Sequence, residues 1–370
     1  MTTSNATRFL AASGDDTALA LEMFLGVVQE NFYANTLLWN AASGDYGIDT
    51  DNADNMPPQV VRGKTISSGK SWQFVQIADS IDPEYHTPGV ELLGQNYAFD
   101  EGNITIDGIL VSHRDIPIDQ IQQAHWEVVE PIARGMGRSL ARDFDRKLFV
   151  IGCKAALEAA KTKVVGSDTF TLHNGGNVVE RVGADQTGAY PVSQTGARNF
   201  RDDLEHLAQL LDDDNVPVMG RYLVYTNYIH RVLQQDTTIF DEQFTRGNSN
   251  SLNNRVIGKI AGFNLLGRTN NLPSTNITAS TWGGGVPSKY QGDFRYNGTL
   301  TRPVALALCG AEEGQAGIGF VAASNEKLGP IYAVREHDTR RNTEFLKAQM
   351  MVGADKLFPP CAGAITVDDA

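Results

Sequence analysis

The stretch IARGMGRSLARDFDRKL, residues 132–148, carries two interleaved periodic patterns. Apolar residues recur at every fourth position, at Ile132, Met136, Leu140, Phe144 and Leu148. Arginines recur at the same spacing, at Arg134, Arg138, Arg142 and Arg146. The two rows are offset by two residues, which is about 200° around an α-helix. The pattern predicts a helix with one apolar face and an arginine ridge, formed by these four arginines, on the opposite face.

The arginine ridge has two interpretations. Its guanidinium groups are suited to contacting phosphates or the acidic residues of a partner. Alternatively, it is the solvated side of an amphipathic helix, supported by contacts from Arg142 to Asp145 and from Arg146 to Asp143. The acidic composition of the chain favours this second interpretation.

This helix is predicted to begin near Glu127, with Pro131 tolerated in or near its first turn. At 1.5 Å per residue, about 30 residues span about 45 Å. That length suits a structural spine more than a small domain. A shorter helix over Ile118 to Ala124 is expected to precede it.

The whole chain has 370 residues, of which 31 are basic and 44 acidic, and a formal charge of −13. Such a chain is poorly suited to gripping a phosphate backbone or an anionic membrane. No apolar run is long enough for a transmembrane helix, and no secretory signal is predicted. The three cysteines lack a CxxC spacing, which disfavours a disulfide framework or a zinc site and fits a reducing cytoplasm.

Acidic residues are concentrated in the N-terminal 58 residues, where eight carboxylates stand against Arg8 alone. A helix is predicted from a cap at Asp15–Thr17 to about Leu38. Its apolar face consists of Leu21, Phe24, Leu25, Val28 and Phe32. The charge then reverses at Arg62, Lys64 and Lys70. The reversal indicates either two surfaces that meet, within or between subunits, or two solvated faces of ordinary loops.

Residues 60–112 indicate a long β-hairpin. One apolar run contains Trp72, Phe74 and Ile77, and a second contains Ile104, Ile106 and Ile109–Val111. The turn-forming segment Asp79–Gly89 separates them. Because an isolated two-stranded ribbon is only marginally stable, the hairpin requires another surface from this chain or from a neighbour.

The remaining chain is predicted to alternate helices and strands. Residues 161–192 are expected to be β or loop, and residues 272–300, rich in Ser, Thr, Asn and Gly, a long surface insertion. The other predicted elements are a helix at 196–211, a strand at 222–226 leading into a helix through Leu233, and strands at 262–266, 304–309, 331–335 and 345–352.

No catalytic, cofactor or metal site is predicted. The segment Gly63–Ser71 resembles a phosphate-binding loop, but five residues separate its glycines instead of four, and a strand pattern follows it. His113–Asp115 resembles a kinase catalytic loop without its accompanying motifs. Asp49–Asp54 fails as a calcium loop because Asp54 takes the place of the required glycine.

Several stretches together resemble the major capsid protein of short-tailed phages of the podovirus, autographivirus type. They are RGKTISSGKSWQF at 62–74, ITIDGILVSHRDIPIDQI at 104–121, the arginine-studded helix, residues 222–233 and 262–273, and GADKLFPPCAGAI at 353–365. No single motif is diagnostic, but the order of the set matches that family over most of the chain.

The resemblance implies an α+β, HK97-like capsid fold. Its parts would be an N-terminal arm at 1–58, an extended loop at 59–106, a peripheral domain with the spine helix at 107–192, an axial domain at 193–325, and return strands with a C-terminal tail at 326–370. The roles of 161–192 and 272–300 are left open by the resemblance.

The implied function is to form pentamers and hexamers that close an icosahedral shell around double-stranded DNA, without sequence-specific binding. Scaffolding protein and portal would be further partners, with assembly in the host bacterial cytoplasm and no enzyme activity, cofactor or membrane. The residues expected to contact a neighbouring subunit are Arg62, Lys64, Lys70, Trp72 and Phe74. The alternatives are an encapsulin-type cellular shell, a nucleotide-dependent enzyme using Gly63–Ser71, and another virion part such as a tail protein.

Overall fold

The computed structural model describes most of the chain. The described residues are 16–38, 60–78, 85, 91, 96–123, 128–183, 186–218, 220–236, 259–273, 277–278, 286–292, 294, 302–310, 316–323, 330–338 and 340–368. Most of the predicted acidic arm, most of the predicted turn at 79–89 and residue Glu127 lie outside them.

Helices and strands are mixed along the chain. The helices are α1 (Asp16–Asn35), α2 (Ile118–Gln123), α3 (Val129–Ala156), α4 (Gln186–Ala189), α5 (Gln194–Asp213) and α6 (Asn227–Leu233). The strands are β1 (Val61–Ile66), β2 (Ser71–Ile77), β3 (Phe99–Thr105), β4 (Ile109–Pro117), β5 (Lys161–Val165), β6 (Asp168–His173), β7 (Asn177–Val182), β8 (Arg221–Thr226), β9 (Lys259–Ile260), β10 (Phe263–Thr269), β11 (Arg302–Cys309), β12 (Ile318–Ala323), β13 (Ile331–Asp338), β14 (Thr343–Lys356) and β15 (Ala362–Asp368). Short 3₁₀ turns lie at Ser288–Tyr290 and Pro359–Cys361.

Helix α3 is the predicted spine. Its apolar row packs inward as expected, with Met136, Leu140, Phe144 and Leu148 buried. Phe144 lies between two other elements, because its ring meets Phe32 of α1 edge-on at 5.9 Å and Phe320 of β12 at 5.3 Å. The spine therefore joins the N-terminal helix to a β-sheet.

That sheet has five strands in the order β1-β12-β14-β13, and β4 also pairs with β14. The long strand β14 is antiparallel to β12, β13 and β4, whereas β1 runs parallel to β12. The predicted second strand of the hairpin was therefore partly wrong. Residues 109–111 belong to β4 in this sheet, because β4 pairs with β14 over its whole length and only Phe99–Thr105 remains to pair with β2.

A second sheet has six strands in the order β7-β15-β11-β8-β10-β9. Helix α5 buries Phe200, Leu204, Leu207 and Leu211 in the same apolar cluster as this sheet. Thr226 at the end of β8 caps α6 by accepting a hydrogen bond from the Ile229 amide at 3.4 Å. The two helices and the strand predicted over 196–233 are confirmed here, with the first helix longer by two residues at each end and the strand by one.

The predicted surface insertion at 272–300 was wrong for its described part. Leu272, Ile277, Tyr290 and Phe294 are buried in the core that surrounds the spine. The Tyr290 hydroxyl donates to Asp107 at 2.6 Å and accepts from the Ala354 amide at 2.9 Å. The segment is polar in composition, but these four buried side chains hold its described part in the interior.

Candidate intersubunit interface

The hairpin formed by β2 and β3, here called the extended hairpin, has two different faces. Strand β2 is antiparallel to β3, with Trp72 opposite Ile104 and Ile77 opposite Phe99. Trp72 and Ile104 are buried against the rest of the chain. On the opposite face Val75, Ile77 and Phe99 are 63%, 66% and 57% exposed. The hairpin thus presents an exposed apolar strip, defined by these three side chains, on the side away from its own core.

Three of the predicted contact residues lie at the root of the hairpin, the region where β1 leads into β2. Trp72 packs in one cluster with Ile104, Val321 and Leu357 of its own chain. The Arg62 guanidinium lies 5.5 Å and the Lys64 ammonium 6.0 Å from the Trp72 ring centroid. These three residues lie together, and Trp72 packs within its own subunit. Their contact with a neighbouring subunit stays a prediction.

Phe74 lies half-buried one step further along the same inward face. Its ring covers Gly102 on β3, where an added methyl group would overlap the ring. Gln76, next on this face, donates to the Leu357 carbonyl at 3.0 Å. The inward face is therefore tied to the subunit's own sheet, and glycine is needed opposite Phe74.

Lys70 is exposed near the root, where its carbonyl accepts a hydrogen bond from the Ile106 amide at 2.8 Å. The segment Gly63–Ser71 spans part of β1, a turn and the first residue of β2. Gly63 pairs with Phe320 within the sheet. A phosphate-binding loop opens a helix, and here a strand follows instead.

The arginine ridge lies on the face of the spine away from the core. Arg134, Arg138 and Arg142 are exposed and Arg146 is half-buried. Arg134 pairs with Glu130 one turn earlier, and Arg142 lies 3.8 Å from Asp143. Burial lowers the pKa of Arg146 below its ordinary value.

The predicted contact between Arg142 and Asp145 was wrong, because Asp145 is buried and bonds to the chain that follows α1. One of its oxygens accepts from the Thr36 hydroxyl at 2.7 Å and the Leu38 amide at 3.2 Å, and the other from the Leu37 amide at 2.7 Å. Burial raises the pKa of Asp145 to about 6 despite these hydrogen bonds, which act in the opposite direction.

The two helices also approach closely at Gly137, where any side chain would meet the backbone of Val28 in α1. Phe24, Val28 and Phe32 of α1 are buried, as the apolar pattern predicted. The side chain of Leu21 lies outside the described residues. The described helix of the arm is thus docked on its own subunit's spine.

Two features of this region were not predicted. The strip of Val75, Ile77 and Phe99 was hidden because apolar residues lie on both faces of β2. Phe74 and Val75 are adjacent, which breaks the alternation that would mark a single apolar face. Asp145 was missed because a single acid among the charged residues of this helix has no distinguishing pattern in the sequence.

Among the described residues, no three His, Cys, Asp or Glu side chains are grouped as a metal site. No described helix is long and apolar enough to cross a membrane. Cys153, Cys309 and Cys361 are buried free thiols. Burial raises the pKa of Cys361 to about 12 and those of the other two further.

A family model described as "Gp10A-like: Major capsid protein" matches residues 74–365. The solved capsid of cyanophage P-SCSP1u is similar at 24% identity and a TM-score of 0.66, covering 84% of this chain and 87% of that one. The mature capsid of bacteriophage PhiM1 is similar at 14% identity and a TM-score of 0.60, covering 83% and 85%. A structure from Mycobacterium phage Che8 is similar at 15% identity and a TM-score of 0.52, covering 81% of this chain and 85% of that one. No curated protein matches the chain. The structural similarities show an HK97-like fold over most of the chain.

Proposed function

Because this chain belongs to the Gp10A-like family of major capsid proteins, and so forms a shell, we propose that its subunits join through the extended hairpin. The observation that supports this proposal is the exposed strip of Val75, Ile77 and Phe99. Fully covering an aliphatic or aromatic side chain stabilises contact by about 1.5–3 kcal/mol. A second copy of the chain would supply that cover.

The finer function follows the resemblance to short-tailed phages. The subunits assemble as pentamers and hexamers into an icosahedral shell around double-stranded DNA, in the cytoplasm of a bacterial host, with scaffolding protein and portal as partners. The net charge of −13 supports this, since an acidic wall does not hold a genome that must later leave.

The predicted contact residues divide into two groups in this arrangement. Trp72 and Phe74 hold the inward face of the hairpin in its own subunit. Lys64 and Lys70 are exposed and remain available for carboxylates of a neighbour, with Arg62 beside them. Charge reversal at both lysines should weaken assembly and leave the isolated subunit folded. Unchanged assembly would contradict this pairing.

The arginine ridge is a second contact surface, either for carboxylates of a neighbour or for phosphates of the enclosed DNA. Arg138→Glu reverses charge at its exposed centre. If the ridge contacts a neighbour, shells should fail to close. If it contacts the genome, shells should form normally and release DNA at lower salt. A variant that matches wild type in both respects would leave the ridge as a solvated face.

The experiment that tests the function is electron microscopy of the purified protein, with and without co-expressed scaffold. Val75→Asp combined with Ile77→Asp places charges on the exposed strip, and Gln73→Asp adds one to the same face as the matched control. Wild type and control should form closed shells, whereas the double variant should remain unassembled with an unchanged circular dichroism spectrum. Shells from the double variant, or a wild type that stays a monomer under both conditions, would contradict the proposal.

A further inference from the structure

Strands β5 and β6 form a second hairpin, residues 161–173, here called the strut, which lies against the extended hairpin. The Lys161 ammonium lies 2.7 Å and the Lys163 ammonium 3.5 Å from the carboxylate of Asp100 on β3. Lys163 also donates to the Phe99 carbonyl at 2.7 Å and lies 5.9 Å from the Phe99 ring centroid. Two lysines of one hairpin therefore hold a single carboxylate and the adjacent backbone of the other.

The contact continues beyond these charges. Leu172 of the strut is buried with Ala78 and Ala98 of the extended hairpin, and Val165 and Phe170 pack around them. The Ala78 amide also donates to the Ala98 carbonyl at 3.0 Å, which prolongs the pairing of β2 with β3 up to this contact. An apolar patch therefore lies beside the ion pairs, and salt does not screen this part of the contact.

The strut begins at the end of the spine, only a few residues after Ala156. Its base is fixed because the Gly176 amide donates to the Glu158 carbonyl at 2.8 Å, and Glu158 pairs with Lys356 of β14 at 2.7 Å. A side chain at Gly175 or Gly176 would meet the backbone of this junction. The strut therefore connects this base to the end of the described β2–β3 pairing, at Asp100, Ala78 and Ala98.

We propose that the strut fixes the direction of the extended hairpin relative to the spine within a single subunit, before any neighbour is bound. Lys161, Lys163 and Asp100 are its positioning residues. On the proposed function, this direction sets the angle at which the hairpin meets the next subunit, and with it the curvature of the shell. This assigns a role to 161–173, which the resemblance left open.

The ion pairs make this contact responsive to salt. The lysine side chains are 44% and 42% exposed, so screening by salt weakens them. The hydrogen bond and charge of Lys161 keep the pKa of Asp100 below its ordinary value, so Asp100 remains ionised under mildly acidic conditions. High salt therefore loosens the strut, whereas mild acid leaves it in place.

Disulfide trapping in the unassembled protein tests the proposal directly. Asn96 on the extended hairpin donates to Asp168 on the strut at 3.2 Å, so Asn96→Cys and Asp168→Cys place two thiols at this contact. The rate at which the disulfide forms reports how closely the hairpins stay together. Asp100→Lys in this background should slow it by roughly threefold to tenfold, in line with the modest strength of exposed ion pairs. Lys161→Asp should restore much of the rate when added to Asp100→Lys, because it swaps the closer ion pair and leaves the bond from Lys163 to the Phe99 carbonyl in place.

The matched control is Asp338→Lys, which makes the same charge change at an exposed pair with Arg341 on a distant turn. It should leave the trapping rate unchanged. A rate unaffected by Asp100→Lys, or not restored by the swapped charges, would overturn the proposal. Particle diameters by electron microscopy give the second measurement, and Asp100→Lys should broaden them. If the trapping rates are as expected but even the wild-type protein forms no shells, the proposal for the strut is supported and the proposed function is contradicted.

Discussion

Replacing Asp145 with asparagine should change how stability depends on pH. In the folded chain the pKa of Asp145 is about 6, because the carboxyl is buried. In the unfolded chain it returns to about 3.9. Protons therefore bind the folded state more tightly, and Asp145 stabilises the fold most below about pH 4. That stabilisation is lost as pH rises through 6.

The size of the effect follows from the difference between the two pKa values. A shift of about two units corresponds to about 3 kcal/mol over the full range. Between pH 4.5 and 7 the expected fall is about 2 kcal/mol. Asparagine is neutral throughout, so the free energy of unfolding of wild type minus that of Asp145→Asn should fall by this amount as pH rises.

Urea unfolding of the unassembled protein, followed by circular dichroism at several pH values, measures this difference. Asp143→Asn is the control, since it removes a more exposed carboxylate two positions away on the same helix. Its difference from wild type should vary much less with pH. The reasoning is refuted if the difference for Asp145→Asn does not vary with pH, or if it grows as pH rises.

Three further results are expected in the unassembled protein. Gly102→Ala should lower the free energy of unfolding by about 1–3 kcal/mol, because the new methyl group displaces the Phe74 ring; Gly108→Ala, where an added methyl group meets nothing within 4 Å, should have little effect. Trp72→Ala should cost about 3–5 kcal/mol by urea unfolding, as for other large buried side chains; an unchanged stability would mean that its packing partner is a neighbouring subunit. The three buried thiols should stay unreactive towards a thiol reagent at pH 8 and react on addition of urea, and fast labelling of the native protein would contradict their burial.

The spine was predictable because its signal is local. Burial of one face repeats every three to four residues within the helix, so the apolar row from Met136 to Leu148 shows in the sequence itself. The helix of the arm was predictable for the same reason. Each periodicity can be recognised without knowing which other element packs on the apolar face.

Pairing between distant strands was harder to predict. Strand β4 was assigned to the hairpin because its apolar residues follow Ile104 closely, yet its partner β14 lies more than 200 residues further along the chain. The strut failed to stand out because its lysines resemble ordinary surface charges until Asp100 is placed beside them. The burial of Tyr290 and its segment likewise depends on distant residues, because its hydroxyl bonds to Asp107 and to the Ala354 amide. In each case the deciding partner is remote in sequence.

The parallel pairing of β1 with β12 has a mechanical consequence. Strand β1 leads directly into the extended hairpin, and its six residues are in consecutive register with β12, from Val61 opposite Ile318 to Ile66 opposite Ala323. A pull on the hairpin along the strand axis loads these hydrogen bonds in shear, so that they share the force and must yield together. A pull across the strand would instead open them one at a time. The subunit therefore resists tension along β1 better than tension across it. On the proposed function, tension along β1 would arise when a neighbouring subunit pulls on the hairpin.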